Sequence, residues 1–269
     1  MQLVREVIHP EGVRTLHFDF ESDRVTAAVT TRLGGCSSGA YESLNLGYHV
    51  GDEEGHVREN RSRVCEALGI TRLTVADQQH GPNVALIDDE LDGAGHHSWA
   101  DAQARLGGVD AMVTDRVGAA LTIMVADCAP VVLYDPTRRV LGVAHVGRGG
   151  AVHDVVGNTV KRMCAEFGSE PTALRVGVGP CIDAGGYELG DPQLTETRQA
   201  FGDDLFRPSA PGRACFDLRG AVRRRLQQAG VLDDHMEFSK LSTSTHHELM
   251  FSDRAHRPCG RFALIASLR

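Results

Sequence analysis

Three side chains with metal-binding or nucleophilic atoms stand at the ends of apolar runs. His80 lies in Asp77-Gln78-Gln79-His80-Gly81-Pro82, directly after a short β-rich run and before a Gly-Pro turn that exposes its imidazole. Cys128 lies in Val125-Ala126-Asp127-Cys128-Ala129-Pro130, where a hydrophobic run finishes on an acid and a thiol. His145 ends the next run, immediately before Gly147-Arg148-Gly149-Gly150. Between Cys128 and His145 the turn Asp135-Pro136-Thr137-Arg138-Arg139 reads as a hairpin, which brings the two residues to one rim. Two imidazoles and a thiolate make a zinc set with one position left open, as catalytic sites have, and zinc lowers the pKa of a bound water towards ~7. The same residues also read as a nucleophilic Cys128 activated by His145 or His80, a cysteine hydrolase acting on an amide such as that of a peptidoglycan precursor. Taken singly, each is equally an ordinary buried thiol or a sheet-edge histidine.

Further candidates are less specific. Arg61, in Glu59-Asn60-Arg61, shares a helical stripe with Val57, Val64 and Leu68. A guanidinium on such an apolar face must snorkel, pair with an acid or meet an anionic ligand. The loop Gly147 to Gly150 runs into a helix beginning near Ala151, and free N–H groups at a helix start favour phosphate. The segment from Gly177 to Asp183 ends near Tyr187-Glu188, which offers a phenol and a carboxylate to a pocket.

The elements that must position these groups are short β-rich runs at 25–31, 73–76, 84–87, 119–126, 131–134, 140–146, 174–178 and 262–266. Helical periodicity appears in Val57, Val64 and Leu68 before Gly69, in Val152 to Met163 before Gly168, and in Leu218, Val222 and Leu226 before Gly230. Each glycine suits a helix stop. The hairpin breaks strict alternation of strand and helix, so the expected class is α+β with mixed or antiparallel sheets packed with helices. Residues 91–108 and 237–260 lack periodicity and read as long surface loops.

Composition excludes several classes. Of 269 residues, 42% are hydrophobic and 24% charged, which describes a globular chain without membrane spans. A net charge of −8 removes any general attraction to nucleic acid or anionic lipid, so a phosphate ligand needs a local basic site. Seven scattered cysteines with no CxxC pair argue against a disulfide framework or zinc ribbon and for a reducing compartment. The first residues carry no apolar segment of signal-peptide length, and the expected location is the cytoplasm.

The motifs Thr30-Thr31-Arg32-Leu33-Gly34-Gly35-Cys36-Ser37, Ser43-Leu44-Asn45-Leu46, Glu59-Asn60-Arg61, Gln78-Gln79-His80-Gly81, Ala126-Asp127-Cys128, Ala144-His145, Gly179-Pro180-Cys181-Ile182 and Tyr187-Glu188 follow one another in a telling order. Together they resemble the YfiH (DUF152) family of purine nucleoside phosphorylases, long described as polyphenol oxidases or laccases and as peptidoglycan editing factors. The resemblance runs from about residue 24 to the end. It implies one α+β domain over residues 1–269. It also implies zinc on His80, Cys128 and His145, and phosphorolysis of adenosine, inosine, guanosine or methylthioadenosine with deamination of adenosine. Asp127 is then expected to move protons and Arg61, with Arg148, to hold phosphate, while Ser43, Asn45 and Glu188 are expected among the substrate-binding groups. The implied partners are a purine nucleoside and phosphate, with no nucleic acid or membrane, on a monomer or weak homo-oligomer. Copper is less favoured than zinc: a laccase needs many paired histidines, and His96-His97 and His246-His247 do not sit in such repeats.

Some residues depart from the family pattern. Where the family has His-Ala-Gly-Trp-Arg-Gly, this chain reads His145-Val146-Gly147-Arg148-Gly149-Gly150, which removes a stacking ring and displaces a guanidinium by one residue. A Cys before Tyr-Glu is Gly186 here, and a Cys-Thr is represented by Ser244-Thr245. These changes leave room for a further reading, a paralogue that binds a nucleotide without turnover.

Overall fold

A computed structural model describes residues 5–20 and 22–269. Every one of the eight apolar runs contains a strand. One six-stranded sheet has the order β1 (Arg5–Ile8), β2 (Arg14–His17), β3 (Val25–Thr30), β15 (Phe262–Leu268), β7 (Ala120–Val125), β4 (Thr74–Val75). The second has the order β14 (Met236–Phe238), β10 (Arg175–Val178), β8 (Ala129–Asp135), β9 (Val140–Val146), β6 (Ala111–Thr114), β5 (Val84–Leu86). A three-stranded sheet of β11 (Glu188–Gly190), β13 (Arg213–Phe216) and β12 (Phe206–Ala210) stands apart. Both large sheets mix parallel and antiparallel neighbours, as the hairpin implied.

The burial pattern shows how the layers stack. Along β8, Val131 and Leu133 point into one apolar cluster and Val132 and Tyr134 into another; along β9, Leu141 and Val143 join the second. That second cluster also holds Val29, Ile123 and Leu264 from the first sheet, so the two sheets share a core. The far face of the first sheet, with Ala28, Met124 and Ile265, packs on helix α1 (Glu54–Leu68) through Val64 and Leu68. The far face of the second meets α4 (Val155–Phe167) and α6 (Leu218–Gln228). The central strands are covered on both sides and therefore read as continuous apolar runs rather than alternating ones.

Three expectations need correction. The stripe from Val152 to Met163 is two helices, α3 (Arg148–Val152) and α4, because Asp154 adopts a left-handed φ of 58° and caps α4 by accepting from Gly157 N. Within 91–108 a helix, α2 (Trp99–Leu106), forms after the cap Ser98, which accepts from Asp101 N. Only Ala102 and Leu106 of α2 are buried, too few to leave a visible period. Segment 237–260 begins inside β14 and is loop beyond it, exposed at 254–258, but it buries Ser242, Thr243, Met250, Phe251 and Ser252, so it is a surface loop only in part. A helix not anticipated, α5 (Gln193–Phe201), lies between β11 and β12. The glycine stops hold: Gly69 and Gly168 are left-handed at φ of 65° and 68°. All seven cysteines are unpaired. Among the described residues no helix is long and apolar enough to cross a membrane.

Candidate metal centre and its cavity

The hairpin β8–β9 sets Ala129 opposite Val146 and Pro130 opposite His145, so Cys128 and His145 emerge at one end of the second sheet. The connecting turn is tied by Asp135, whose carboxylate accepts from the N–H groups of Thr137 and Arg138. His80 reaches the same end from the loop after β4. Its Nε2 lies 3.6 Å from Cys128 Sγ, and its ring stands 4.7 Å from that of His145 at 63°. One ligand atom from each of the three falls within 4.8 Å of the others. Tetrahedral zinc with ordinary Zn–N and Zn–S bonds separates a nitrogen from a sulfur by about 3.5 Å, so the set fits one ion. Among the described residues no second cluster of three such ligands occurs.

Asp110 organises the pair of imidazoles. Its buried carboxylate accepts from Nδ1 of His145 at 2.8 Å and from the backbone N–H groups of Gln79, His80 and Gly81. The Nδ1 proton is thereby fixed and Nε2 of His145 is left for a metal, the usual carboxylate–histidine support of such ligands. The same three N–H bonds hold His80 at a left-handed φ of 60°, a conformation that persists in a non-glycine residue only when its surroundings enforce it. Gly147 allows the close approach: a Cβ there would lie 2.7 Å from His80 Cδ2 and 2.8 Å from Cys128 Sγ. Gly149 would press on the His80 carbonyl at 2.8 Å. The glycine-rich loop thus makes room for the ligands.

Electrostatics follow from these contacts. Burial pushes the Cys128 thiol up, but His145 and then His80 outweigh it and bring the pKa down to about 6. Burial lowers His145, yet the Cys128 thiolate and the Asp110 carboxylate raise it to about 9. Without metal, the two form a thiolate–imidazolium pair between those values. In chelator-treated protein the thiolate absorbance of Cys128 is expected to develop near pH 6, and in the His145→Ala variant only at or above pH ~9, the ordinary thiol range. Equal midpoints in the two proteins would refute the pairing.

The trio opens into a cavity of about 420 Å³, an ordinary size for a small-molecule site. Asp127 lines it at a φ of 86°, and its carboxylate accepts three hydrogen bonds: Oδ1 from Thr243 and Ser252 hydroxyls, and Oδ2 from Arg254 N. Asp127 therefore anchors the 243–254 wall instead of presenting a free base. Arg61 lies wholly beneath the surface and does not line the cavity. Its guanidinium donates to the carbonyls of Leu46, Gly95 and His96 and stacks over Tyr48 at 4.4 Å. Burial lowers its pKa only to about 10, so it remains charged, neutralised by carbonyl dipoles. Asn45 and Ser43 are scaffold as well: Asn45 accepts from Gly47 N and Arg261 N, and Ser43 donates to the Arg32 carbonyl. Arg148 turns away to Glu196 and Thr197 on α5, and Glu188 pairs with Arg213 and Ser209, so neither lines the cavity.

Several residues that line it are absent from the sequence candidates. Arg254, Arg257 and Arg261 also line it; Asp253 bridges the latter two, Arg254 donates to the Glu188 carbonyl, and Arg261 donates to the carbonyls of Cys259 and Gly260. Their spacing of three and four residues was visible, but the segment has no helical period to mark a shared face. Tyr187, which the sequence offers to a pocket, lines the cavity; burial raises its phenol well above the usual range and keeps it protonated. Trp99 and His49 complete another part of the wall.

Fold and site together define a layered protein of mixed sheets and helices in which a His–Cys–His cluster able to hold one metal ion stands at the end of a sheet. Residues 26–269 match the model of the family described as multi-copper polyphenol oxidoreductase laccase, and the chain belongs to that family. It is 36% identical over 239 residues to the purine nucleoside phosphorylase ORF3 of Streptomyces griseus, covering 88% of this chain and 91% of that one. It is 32% identical to the purine nucleoside phosphorylase YlmD of Geobacillus stearothermophilus, covering 86% and 85%. The crystal structure of Bacillus licheniformis YfiH superposes with a TM-score of 0.90 at 31% identity, over 95% of this chain and 96% of that one. That of the Geobacillus YlmD also gives 0.90, at 30% identity, over 100% and 98%. The expected family and α+β class are therefore correct.

Proposed function

We propose that this chain is a zinc-dependent purine nucleoside phosphorylase that splits adenosine, inosine, guanosine or methylthioadenosine with phosphate. The observation that carries the reading is one cavity lined both by His80, Cys128 and His145 and by Arg254, Arg257 and Arg261. The names of its relatives agree with it. A zinc ion on the trio supplies Lewis acidity at the reacting centre. The three arginines supply the local positive charge that a phosphate dianion needs beside the ribose of a chain whose net charge is −8. Protonated Tyr187 donates a hydrogen bond to an oxygen of the substrate or of its leaving group. Arg61 and Asp127 serve by holding α1 and the 243–254 wall in place. Seven unpaired thiols suit the cytoplasm.

The test is a chromatographic time course of adenosine and of inosine with zinc-loaded protein, with phosphate, with arsenate and with neither. Adenine and hypoxanthine that appear only with phosphate or arsenate are expected. Inosine formed from adenosine without either anion would assign deamination to the same metal. Absence of base release from every nucleoside would overturn the phosphorylase.

One observation favours a second reading, a cysteine hydrolase acting on an amide. Cys128, His145 and Asp110 stand in the order of a nucleophile, its base and the group that orients the base. Zinc is expected to protect Cys128 from iodoacetamide; alkylation at the same rate with and without zinc would favour the hydrolase.

A further inference from the structure

Trp99 is the only tryptophan of the chain, and it stands on the wall of the cavity that holds the metal trio. Its position is built by local structure. Ser98 caps α2, so Trp99 is the first helical residue and its ring is held at the helix start. The ring is half-buried against the third apolar cluster, beside α1 and the first sheet. His49 lies against it, with ring centroids 4.4 Å apart and planes 33° from parallel, and His49 lines the same cavity. Nothing in the chemistry assigned to His80, Cys128, His145 or the arginines uses this pair. Two adjoining aromatic rings on the wall of a cavity that also carries charged and polar side chains suit a flat, π-rich ligand with a polar edge.

We propose that Trp99 and His49 form the stacking platform for the base of the nucleoside. The inference rests on the purine nucleoside reading above and adds to it a subsite for the heterocycle. In this arrangement the ligand spans the cavity from the aromatic pair to the metal trio and arginines, base on the one side and ribose with phosphate on the other. Stacking is tolerant of ring substituents because every base has a π-face, so the platform accepts adenine, hypoxanthine and guanine alike, and ring area is what it selects. Purine nucleosides are then preferred over pyrimidine nucleosides without any hydrogen bond to the base edge.

The single tryptophan makes the test direct. In zinc-loaded protein without phosphate, where phosphorolysis cannot proceed, inosine is titrated against tryptophan emission excited at the red edge of the absorption band. Saturable quenching by inosine and adenosine is expected, weaker quenching by uridine, and none by ribose 1-phosphate. In steady state with phosphate, Trp99→Ala is expected to raise KM for inosine about ten-fold, the size of one base-on-aromatic contact, with a smaller fall in kcat. Trp99→Phe keeps an apolar ring on the cluster and is expected to fall between. His49→Phe is expected to retain the affinity that His49→Ala loses, since a ring and not an imidazole is required. Wild-type protein that splits inosine while its emission ignores saturating inosine, or an unchanged KM in Trp99→Ala, overturns the platform and leaves the phosphorylase standing. Saturable quenching without base release in any condition overturns the phosphorylase and leaves the platform.

Discussion

Serine in place of Cys128 is expected to strip the metal and to lower phosphorolysis by at least about a hundred-fold, the usual cost of removing a principal electrostatic stabiliser. The serine hydroxyl is the same shape but does not ionise at neutral pH, so the site loses its one anionic ligand and keeps two neutral imidazoles. Metal content by mass spectrometry and turnover should fall together. The fold should persist, because His145 keeps its bond to Asp110 and the hairpin keeps its register. Retention of one metal per chain with full turnover would falsify the assignment of the centre. Cys128→Ser alone does not separate the phosphorylase from the hydrolase, since both need the sulfur. His80→Ala does. A metal enzyme loses its ion and its activity, whereas a nucleophile paired with His145 and Asp110 keeps its base and the group that orients it, and with them measurable turnover.

The meeting of Cys128 and His145 was legible in the sequence because each ends an apolar run and the Asp135 turn fixes the two runs as neighbours. That inference needs only strand length, turn chemistry and pleat. The third ligand, His80, could not be placed by spacing, because β4 belongs to the other sheet and meets the hairpin only through the sandwich. Asp110 left no signal either: one acid before a four-residue strand looks like many others until its carboxylate is seen to collect Gln79, His80, Gly81 and His145. Arg61 shows the opposite failure. A charged residue on an apolar stripe suggested an anion, but the carbonyls that satisfy it come from residues 46, 95 and 96, which no local pattern connects to α1. Arg148, one residue before the family's arginine, opens α3, and its guanidinium meets Glu196 on α5 instead of lining the cavity. The cationic wall sits instead in segment 253–261, where irregular backbone hides which side chains share a face.

Asparagine at Asp110 is expected to damage the centre without touching the metal. The carboxylate accepts four hydrogen bonds and no solvent reaches it. An amide presents only one oxygen, and its NH2 faces N–H donors that it cannot satisfy. Breaking such a buried network costs about 3 kcal/mol, which for a chain of this size lowers Tm by about 6 °C or more. Metal affinity should fall about 10- to 100-fold, because His145 loses the partner that fixes Nδ1–H and the loop carrying His80 loses three anchors. The pH dependence gives a second readout. Burial pushes the Asp110 carboxyl up, but the His145 bond and charge and the N–H groups of Gly81 and Gln79 outweigh it and hold its pKa below the usual carboxylate value. A depressed folded pKa contributes stability that is present above the unfolded value, about 3.9, and is lost as pH falls through the folded one. Wild-type protein should therefore lose stability below pH ~4 more steeply than Asp110→Asn, which has no carboxyl to protonate at this position. Parallel acid limbs would show that the carboxylate contributes nothing by its charge, and an unchanged metal affinity would remove Asp110 from the support of the centre.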